Sequence, residues 1–183
     1  MYNIVIEGID FSGKSTLCRT LSGLMGLQVL RHPNGLLREK LLVDSPLISS
    51  DEEILLHCAG FLESARLSKE TDRNCIFDRY IPSCYAYNYD YATNAGRQIL
   101  QIVSEQIQKD KPYVVFYLEI SLSTMKERAR ERIEKNRYDF MPDTFYEHCA
   151  ATYEALCNYK LDGEQPTLDI AKQIIRILSK KNA

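Results

Sequence analysis

Short apolar runs alternate with longer amphipathic stretches along this chain. The apolar runs are rich in β-branched and aromatic residues and predict strands at 3–7, 27–32, 74–78 and 113–120. Between them, apolar residues recur every three or four positions and predict helices at 15–25, 50–70, 97–109, 121–135, 143–158 and 168–180. Apolar strands that alternate with helices indicate a parallel sheet covered on both faces, and therefore an α/β fold.

The composition indicates one domain and restricts its partners. The 183 residues carry a formal net charge of −2, which does not favour a nucleic-acid surface. The apolar stretches are too short to cross a membrane, and the N-terminal residues lack the pattern of a signal peptide. The six cysteines form no C-x-x-C pair, which is typical of reduced thiols and not of a zinc site. We therefore expect a single cytoplasmic domain over 1–183, without nucleic-acid or membrane partners.

The stretch IEGIDFSGKSTL follows the first predicted strand and opens the first predicted helix. Gly8 and Gly13-Lys14-Ser15 match the pattern G-x-x-x-x-G-K-[ST] at every fixed position. Glycines let backbone N–H groups turn towards phosphate oxygens, the lysine contacts the β- and γ-phosphates, and the serine hydroxyl is a ligand for Mg²⁺. The motif predicts a site for a nucleoside triphosphate with Mg²⁺, but it does not distinguish kinases, ATPases and GTPase switches.

The stretch CIFDRYIPSCYAYN, at 75–88, places charged and phenolic groups after another predicted strand. Asp78 ends that strand, where a P-loop fold needs a carboxylate near the metal, and the adjacent Arg79 points into the ligand crevice. If the next segment is helical, Tyr80, Ser83 and Tyr87 share one face that could line a sugar or a base. The alternative is an Asp-Arg pair at a strand end, with the tyrosines packed at the edge of the core.

The stretch KERARERIEKNRYD, at 126–139, is rich in arginine. Its alternating glutamates favour a solvated helix with ion pairs four residues apart. Phosphoryl transfer offers a second interpretation, because it needs cations around the transferred group and the exclusion of water. Both interpretations are open from these residues alone.

Taken together, these motifs resemble the thymidylate kinases, a family of P-loop nucleoside monophosphate kinases. The family pattern EG-x-D-x-x-GKST appears at 7–16, and DRY-x-x-S-x-x-AY appears at 78–87. The lid pattern of the family appears as Arg128, Arg132, Arg137 and Asp139, and its R-x-P segment as Arg31-His32-Pro33. The matches occur in order over nearly the whole chain, which makes them more specific than any single motif.

The resemblance implies an overall structure and a set of partners. It implies a parallel five-stranded sheet flanked by helices on both faces, with an arginine-bearing lid at about 128–142. It also implies ATP with Mg²⁺ as the phosphoryl donor, and a homodimer with the apolar helix faces near 51–65 as the interface. Its metal-binding residues would be Ser15 and Asp78.

The resemblance also assigns roles to individual residues. Asp10 would face the 3′-hydroxyl of the acceptor nucleotide, and Arg79 would hold its phosphate, together with Arg31 or Arg38. Tyr87 would lie against the deoxyribose and exclude a 2′-hydroxyl. The implied substrate-binding residues are Asp10, Arg31, Arg79, Ser83, Tyr87 and Asn88. The implied ATP-binding residues are Gly8, Ser12, Gly13, Lys14, Ser15, Thr16 and Arg128. The implied catalytic residues are Lys14, Arg79, Arg132 and Arg137.

The chain departs from the family pattern in three places. Phe11 follows the loop aspartate where many members have Arg or Gly, so we expect lid arginines to supply the missing cation. The stretch HCAGF at 57–61 lacks the Phe and Arg that read thymine, and Arg66 is the nearest candidate for the displaced arginine. Asn88 stands where Gln or Thr is commoner. The second departure leaves the base of the acceptor open.

The function that these observations predict is transfer of the ATP γ-phosphoryl group to a deoxynucleoside 5′-monophosphate, most directly dTMP. A deoxynucleoside kinase is the closest alternative, but it would need a carboxylate base near a 5′-hydroxyl, for which Glu7 is the only candidate. A P-loop switch is a third interpretation. It would need a residue that orients water, and the sequence suggests none.

Overall fold

The structure is a computed structural model that describes residues 3–34, 37, 48–71, 73–130 and 141–181. The strands in these residues are β1 (Asn3–Glu7), β2 (Gln28–Arg31), β3 (Cys75–Asp78), β4 (Tyr113–Glu119) and β5 (Tyr159–Asp162). The α-helices are α1 (Lys14–Met25), α2 (Ser50–Glu70), α3 (Ile81–Asn88), α4 (Asn94–Asp110), α5 (Leu122–Arg130), α6 (Asp143–Leu156) and α7 (Thr167–Lys181).

The five strands form one parallel sheet in the order β2-β3-β1-β4-β5. This confirms the predicted α/β class and the five-stranded parallel sheet. The carboxyl ends of β1 and β3 are adjacent, because Ile6 lies opposite Asp78 in the register, and Arg31 of β2 lies opposite Asp78 on its other side. In such sheets the ligand crevice lies outside the carboxyl ends of the strands. The loops after β1 and β3 therefore meet there.

The two faces of the sheet are buried under different helices. Ile4 and Ile6 of β1 belong to a core cluster with residues of α1 and α7, whereas Val5 belongs to one with residues of α2, α3 and α4. Successive side chains of a strand point to opposite faces, so an apolar run with no polar face must be covered on both sides. All five residues of β1 are buried, including the polar residues Asn3 and Glu7.

A third core cluster joins α6 to the crevice. It contains Ile9 of the phosphate loop, Tyr87 of α3, Tyr117 of β4, and Phe145 and Tyr153 of α6. Aromatic rings bury a large apolar area while their hydroxyl groups remain available for hydrogen bonds. This cluster fixes the relative positions of the elements that carry the polar groups of the crevice.

The pattern of the sequence located most elements but missed one strand. β1 and α2 have the predicted bounds, and the other five predicted helices are present in the described residues with at least one shifted end each. The end predicted at 135 lies outside the described residues. β5 was not among the predicted strands. It has four residues at the sheet edge, and only Leu161 of these is buried, so it lacks the apolar run of a central strand.

Two further predictions concern the state of the cysteines and the presence of membrane-spanning segments. All six cysteines are free, and five of them are buried. Within the described ranges, none of the helices has the length and apolar character needed to span a membrane.

Candidate active site

The phosphate loop connects β1 to α1 through two glycines that no other residue could replace without strain. A Cβ atom on Gly8 would lie 2.6 Å from the Leu118 carbonyl oxygen of β4. Gly13 has φ of 93°, in the left-handed region that favours glycine, and immediately precedes α1. The first N–H groups of a helix have no partner within the helix and attract anions. The loop therefore presents backbone donors to phosphate.

Lys14 is buried and folded back over the loop. Its Nζ donates to the Ile9 carbonyl oxygen at 2.6 Å and to Ser12 Oγ at 3.2 Å. Burial, reinforced by the nearby Arg79 cation, lowers the pKa of Lys14. Phosphate oxygens would replace these neutral acceptors with charged ones, which favours the ammonium form.

Ser15 and Asp78 form a close pair between α1 and β3. Ser15 Oγ donates to Asp78 Oδ2 at 2.6 Å, and Asp78 is almost fully buried. Arg31 approaches the same carboxylate oxygen, with 3.9 Å between Nε and Oδ2. A hydroxyl and a carboxylate are oxygen ligands of the kind that Mg²⁺ prefers, and Mg²⁺ usually takes few protein ligands, with waters and phosphates completing its octahedron. The pair therefore fits the predicted metal site.

Arg79 follows Asp78 directly and is the centre of the polar network in the crevice. Its Nη1 donates to Ser83 Oγ at 3.1 Å and to the Tyr153 hydroxyl at 3.0 Å. Its Nη2 donates to Asp10 Oδ1 at 2.7 Å and lies 3.5 Å from the Tyr87 hydroxyl. Two helices, α3 and α6, and the phosphate loop thus aim polar atoms at one guanidinium group, which is only 17% exposed.

Asp10 is held by two of these groups. Its Oδ1 accepts from Arg79, and its Oδ2 accepts from the Tyr87 hydroxyl at 3.3 Å. Burial alone would raise the pKa of Asp10, but the cations of Arg79 and Lys14 outweigh it, so the pKa lies below its usual value. The Arg79 guanidinium also lies over the Tyr87 ring, 5.2 Å from its centroid. Asp10 is therefore an ionised hydrogen-bond acceptor beside an aromatic wall.

The end of α5 reaches the same loop. Arg128 Nη1 donates to the Phe11 carbonyl oxygen at 3.0 Å. Phe11 has φ of 65°, an uncommon conformation for a residue other than glycine, and its ring packs against the cluster that contains Ile9 and Tyr87. The first arginine of the predicted lid thus contacts the phosphate loop directly.

This arrangement combines a phosphate loop, a hydroxyl–carboxylate pair and a cation at the carboxyl edge of the sheet. A model of the thymidylate kinase family matches residues 6–181. The chain belongs to the thymidylate kinase family. It is therefore an ATP-dependent nucleoside monophosphate kinase, and the reaction is phosphorylation of dTMP to dTDP.

Individual relatives agree with this family. The chain is 27% identical to the thymidylate kinase of Acholeplasma laidlawii over 193 residues, which cover 94% of this chain and 95% of the relative. It is 33% identical to that of Buchnera aphidicola over 162 residues, which cover 73% of each.

Solved structures support the fold of the family. The thymidylate kinase of Candida albicans superposes with a TM-score of 0.75 at 19% identity, over 99% of this chain and 92% of the other. A deoxyadenosine kinase from M. mycoides superposes with a TM-score of 0.66 at 16% identity, over 97% and 99%.

Some residues with predicted family roles lie outside the network around Arg79. The Asn88 side chain is buried, and its Nδ2 donates to Glu53 of α2. Thr16 is exposed, and its hydroxyl accepts from Arg19 at 3.3 Å. Other predicted residues lie outside the described residues: Arg38, Arg132, Arg137 and Asp139.

The prediction that Tyr80 shares a ligand-lining face with Ser83 and Tyr87 is wrong. Helix α3 begins at Ile81, and Tyr80 precedes it with φ of −155°. Its ring is 1% exposed and packs edge-on against Phe61, whose carbonyl oxygen accepts from the Tyr80 hydroxyl at 3.2 Å. Because Tyr80 is outside the helix, helical spacing does not apply to it, and its side chain belongs to the core.

The stretch at 57–61 contains a histidine pair. His57 Nδ1 lies 2.8 Å from His32 Nε2, and both rings lie near Phe61, which is fully buried. Burial and the neighbouring His57 lower the pKa of His32 well below its usual value, so this ring is neutral. Arg66 is 61% exposed and paired with Glu70 on the surface of α2, which does not support it as the displaced base-reading arginine.

Sequence reasoning missed Tyr153 and underestimated Glu7. Tyr153 contributes a hydroxyl to Arg79 from 74 positions away, and it appears in the sequence only as one apolar position of a predicted helix. Glu7 is buried beneath α3 and accepts hydrogen bonds from Tyr80 and Ser83. One sequence signal could have identified this role of Glu7. A carboxylate at the end of a buried central strand must find hydrogen-bond donors within the protein.

Proposed function

We propose that dTMP binds in the crevice between the phosphate loop and the start of α3, with Arg79 holding its phosphate. The observation that carries this proposal is the guanidinium of Arg79. It lies at the carboxyl end of β3, next to Ser15 and Asp78, and its neighbours come from three different parts of the chain: the phosphate loop, α3 and α6. A planar group with several fixed donors suits a phosphate, which offers several charged acceptors.

The donor phosphates would lie on the phosphate loop. The N–H groups at the start of α1 and the Lys14 ammonium would hold the β- and γ-phosphates, and Ser15 and Asp78 would hold Mg²⁺. When bound, Mg²⁺ neutralises negative charge on the triphosphate.

The acceptor phosphate attacks as an anion, so the protein needs to supply position and charge neutralisation, not a general base. Arg79 would fix the attacking phosphate, and Asp10 would accept a hydrogen bond from the 3′-hydroxyl. The ring of Tyr87 would occupy the space beside C2′. The remaining cations around the transferred group would come from the predicted lid, at 128–142, which begins at the contact between Arg128 and Phe11.

The contacts of Glu7 disfavour the alternative of a deoxynucleoside kinase. That reaction would need Glu7 to remove a proton from a 5′-hydroxyl. Glu7 is 0% exposed, and its two oxygens accept from the Tyr80 N–H and the Ser83 hydroxyl at 2.7 Å each. A carboxylate committed in this way does not reach an acceptor in the crevice.

A substrate panel tests the proposal. We expect release of ADP from Mg-ATP to be fastest with dTMP, slower with dUMP and other deoxynucleoside monophosphates, and slowest with the ribose analogue of dTMP. Thymidine, which lacks the 5′-phosphate, serves as the matched control and should not be phosphorylated. Preferential phosphorylation of thymidine would favour the deoxynucleoside kinase.

The quaternary state is a separate part of the proposal. Leu55 and Leu62 lie seven residues apart on α2, each 49% exposed, and Ile102 of the adjacent α4 is 66% exposed. Residues seven apart share one helix face, and clustered exposed apolar residues favour an interface. We expect a homodimer through this surface in the cytoplasm. Sedimentation should give a dimer for the wild type and a monomer for Leu55→Glu/Leu62→Glu.

A further inference from the structure

The carboxylate of Glu7 caps a helix to which it does not belong. Glu7 is the last residue of β1, and its Oε1 accepts from the N–H groups of Tyr80, at 2.7 Å, and of Ser83, at 3.3 Å. These are N–H groups at the start of α3, where a helix lacks internal partners and where negative charge is favourable. Tyr80 occupies the N-cap position of α3, but its hydroxyl donates to Phe61 instead. β1 therefore supplies the cap.

This cap also holds the backbone on both sides of Arg79. Arg79 has φ of 67°, which is rare for a residue with a side chain and persists only where the surroundings enforce it. The N–H of Arg79 donates to the Ile6 carbonyl oxygen at 3.2 Å, and the N–H of Tyr80 donates to Glu7. The two peptide groups that flank the Arg79 Cα atom are thus tied to consecutive residues of β1.

Glu7 is also connected to Arg79 through side-chain hydrogen bonds. Ser83 Oγ donates to Glu7 Oε2 at 2.7 Å and accepts from Arg79 Nη1 at 3.1 Å. A hydroxyl has one proton, so donation to Glu7 leaves both lone pairs of Ser83 for Arg79 and for the Tyr153 hydroxyl, which lies 2.9 Å away. Tyr153 must then donate to Ser83, which leaves its own oxygen to accept from Arg79. An ionised Glu7 thereby fixes every donor and acceptor on the Nη1 side of the guanidinium.

We infer that Glu7 is a positioning residue, which sets the Arg79 guanidinium for the acceptor phosphate through the first turn of α3 and the Ser83 hydroxyl. Glu7 does not touch the acceptor, and its effect is exerted through Arg79. The inference rests on the proposed role of Arg79. It requires that a change at Glu7 alter the binding of dTMP far more than the binding of ATP, although Glu7 directly precedes the phosphate loop.

Glu7→Gln tests this inference with little change of shape. The glutamine oxygen can still accept from the two N–H groups, but its amide would donate to Ser83 and force the Ser83 proton towards Tyr153, which reverses the order of donors. Because the Tyr153 proton then has no acceptor in this network and Arg79 loses the nearby negative charge of Glu7, we expect KM for dTMP to rise roughly tenfold. KM for ATP should change less than about twofold. Glu105→Gln, on the exposed side of α4, is the matched control and should match the wild type.

Two further variants keep the test decisive. Ser83→Ala leaves the Glu7 cap on the backbone but removes the hydroxyl relay, so it should raise KM for dTMP even if Glu7→Gln fails to fold. In the Arg79→Ala background, Glu7→Gln should have no additional effect on KM for dTMP, because coupled residues are not additive.

The outcomes separate this inference from the proposed function. If Arg79→Ala raises KM for dTMP while Glu7→Gln and Ser83→Ala do not, the inference fails and the proposed function stands. Equal weakening of dTMP and ATP by Glu7→Gln would indicate a general structural role and would also overturn the inference. If Arg79→Ala leaves KM for dTMP unchanged, both the proposed role of Arg79 and the inference are wrong.

Discussion

At the scale of single residues, the acceptor phosphate would enter a network that is already satisfied. Arg79 donates to Ser83, Tyr153 and Asp10 without any ligand, and Asp10 carries a negative charge beside the position where a phosphate would bind. A phosphate must share this cation with Asp10 or displace it. The Ser83 and Tyr153 contacts lie on Nη1, so they can persist while Nη2 turns to the ligand. In the proposed function, Asp10 would then be released to meet a hydroxyl of the sugar.

Arg79→Ala should raise KM for dTMP by more than about tenfold, because a hydrogen bond to a charged group contributes roughly 1.5–3 kcal/mol. KM for ATP should change little. Steady-state kinetics with each substrate varied in turn makes this comparison. Arg66→Ala is the matched control, since Arg66 pairs with Glu70 on the exposed surface. Equal weakening of both substrates would instead assign a structural role to Arg79.

Tyr87 offers a test that separates its ring from its hydroxyl. Tyr87→Ala should raise activity on the ribose analogue relative to dTMP, because the ring no longer blocks the 2′-hydroxyl. Tyr87→Phe keeps the ring and removes only the hydroxyl that donates to Asp10, so it should preserve the sugar preference. The measurement is the ratio of kcat/KM for the two nucleotides. An unchanged ratio in Tyr87→Ala would remove this residue from the sugar site.

At the scale of elements, the apolar pattern predicted the strands and helices that are buried in the core, and it missed the edge strand, which is mostly exposed. The fully buried β1 was predicted with its observed bounds, because a strand covered on both faces carries a continuous apolar run, here Ile4, Val5 and Ile6. β5 escaped because an edge strand with one buried residue carries no such signal. The start of α3 was misjudged at Tyr80, since the cap comes from Glu7, 73 positions earlier in the chain. Contacts between distant residues, such as Arg79 with Tyr153, have no local pattern from which they could be predicted.

The prediction at the scale of elements concerns the arginines that follow α5 in the sequence. Glu164 accepts from the Ser121 N–H at 3.1 Å and from the hydroxyls of Ser121 and Thr124, so the start of α5 is anchored. Its last turn is tied to the phosphate loop through Arg128. Arg132→Ala and Arg137→Ala, whose positions lie outside the described residues, should each lower kcat about a hundredfold if lid arginines neutralise the transferred phosphoryl group.

Rapid-quench kinetics with saturating ATP and dTMP measures this effect. Lys126 provides the matched control, because it is half exposed and pairs with Asp143 of α6 at 2.7 Å. Lys126→Ala should retain wild-type kcat, and its thermal stability should change little, since exposed charges contribute little to folding. Near-normal kcat in both arginine variants would favour the alternative of a solvated, ion-paired helix.

At the scale of the whole molecule, the crevice concentrates buried charge that opposes stability. Burial raises the pKa of Glu7 to about 7, although Arg79, Ser83 and Tyr80 favour its ionised form. Burial lowers the pKa of Lys14 in the same region. A fold selected only for stability would replace such groups with apolar ones. Their presence is consistent with a site that gives up stability in order to hold cations at fixed positions for phosphate.

The pH dependence of stability tests this cost at Glu7. The ordinary pKa of a glutamate is 4.5, and in the folded chain that of Glu7 is about 7, so between these values the folded state binds more protons than the unfolded state. The free energy of unfolding contributed by Glu7 therefore falls as the pH rises through this window. His32 acts in the opposite direction, because its lowered pKa keeps it neutral in the fold while the unfolded histidine gains a proton below about 6.5.

Comparison of Glu7→Gln with the wild type removes the contribution of His32, which both proteins share. Lys14, whose pKa burial lowers to about 7, also titrates in this window, but it is likewise present in both proteins and is removed by the same comparison. Relative to the wild type, Glu7→Gln should gain stability between pH 5 and pH 7.5, by an amount on the order of 3 kcal/mol. Urea denaturation at the two pH values measures the change. A stability difference that is the same at both values would mean that Glu7 is not held near neutrality by burial, and that the crevice does not carry this cost.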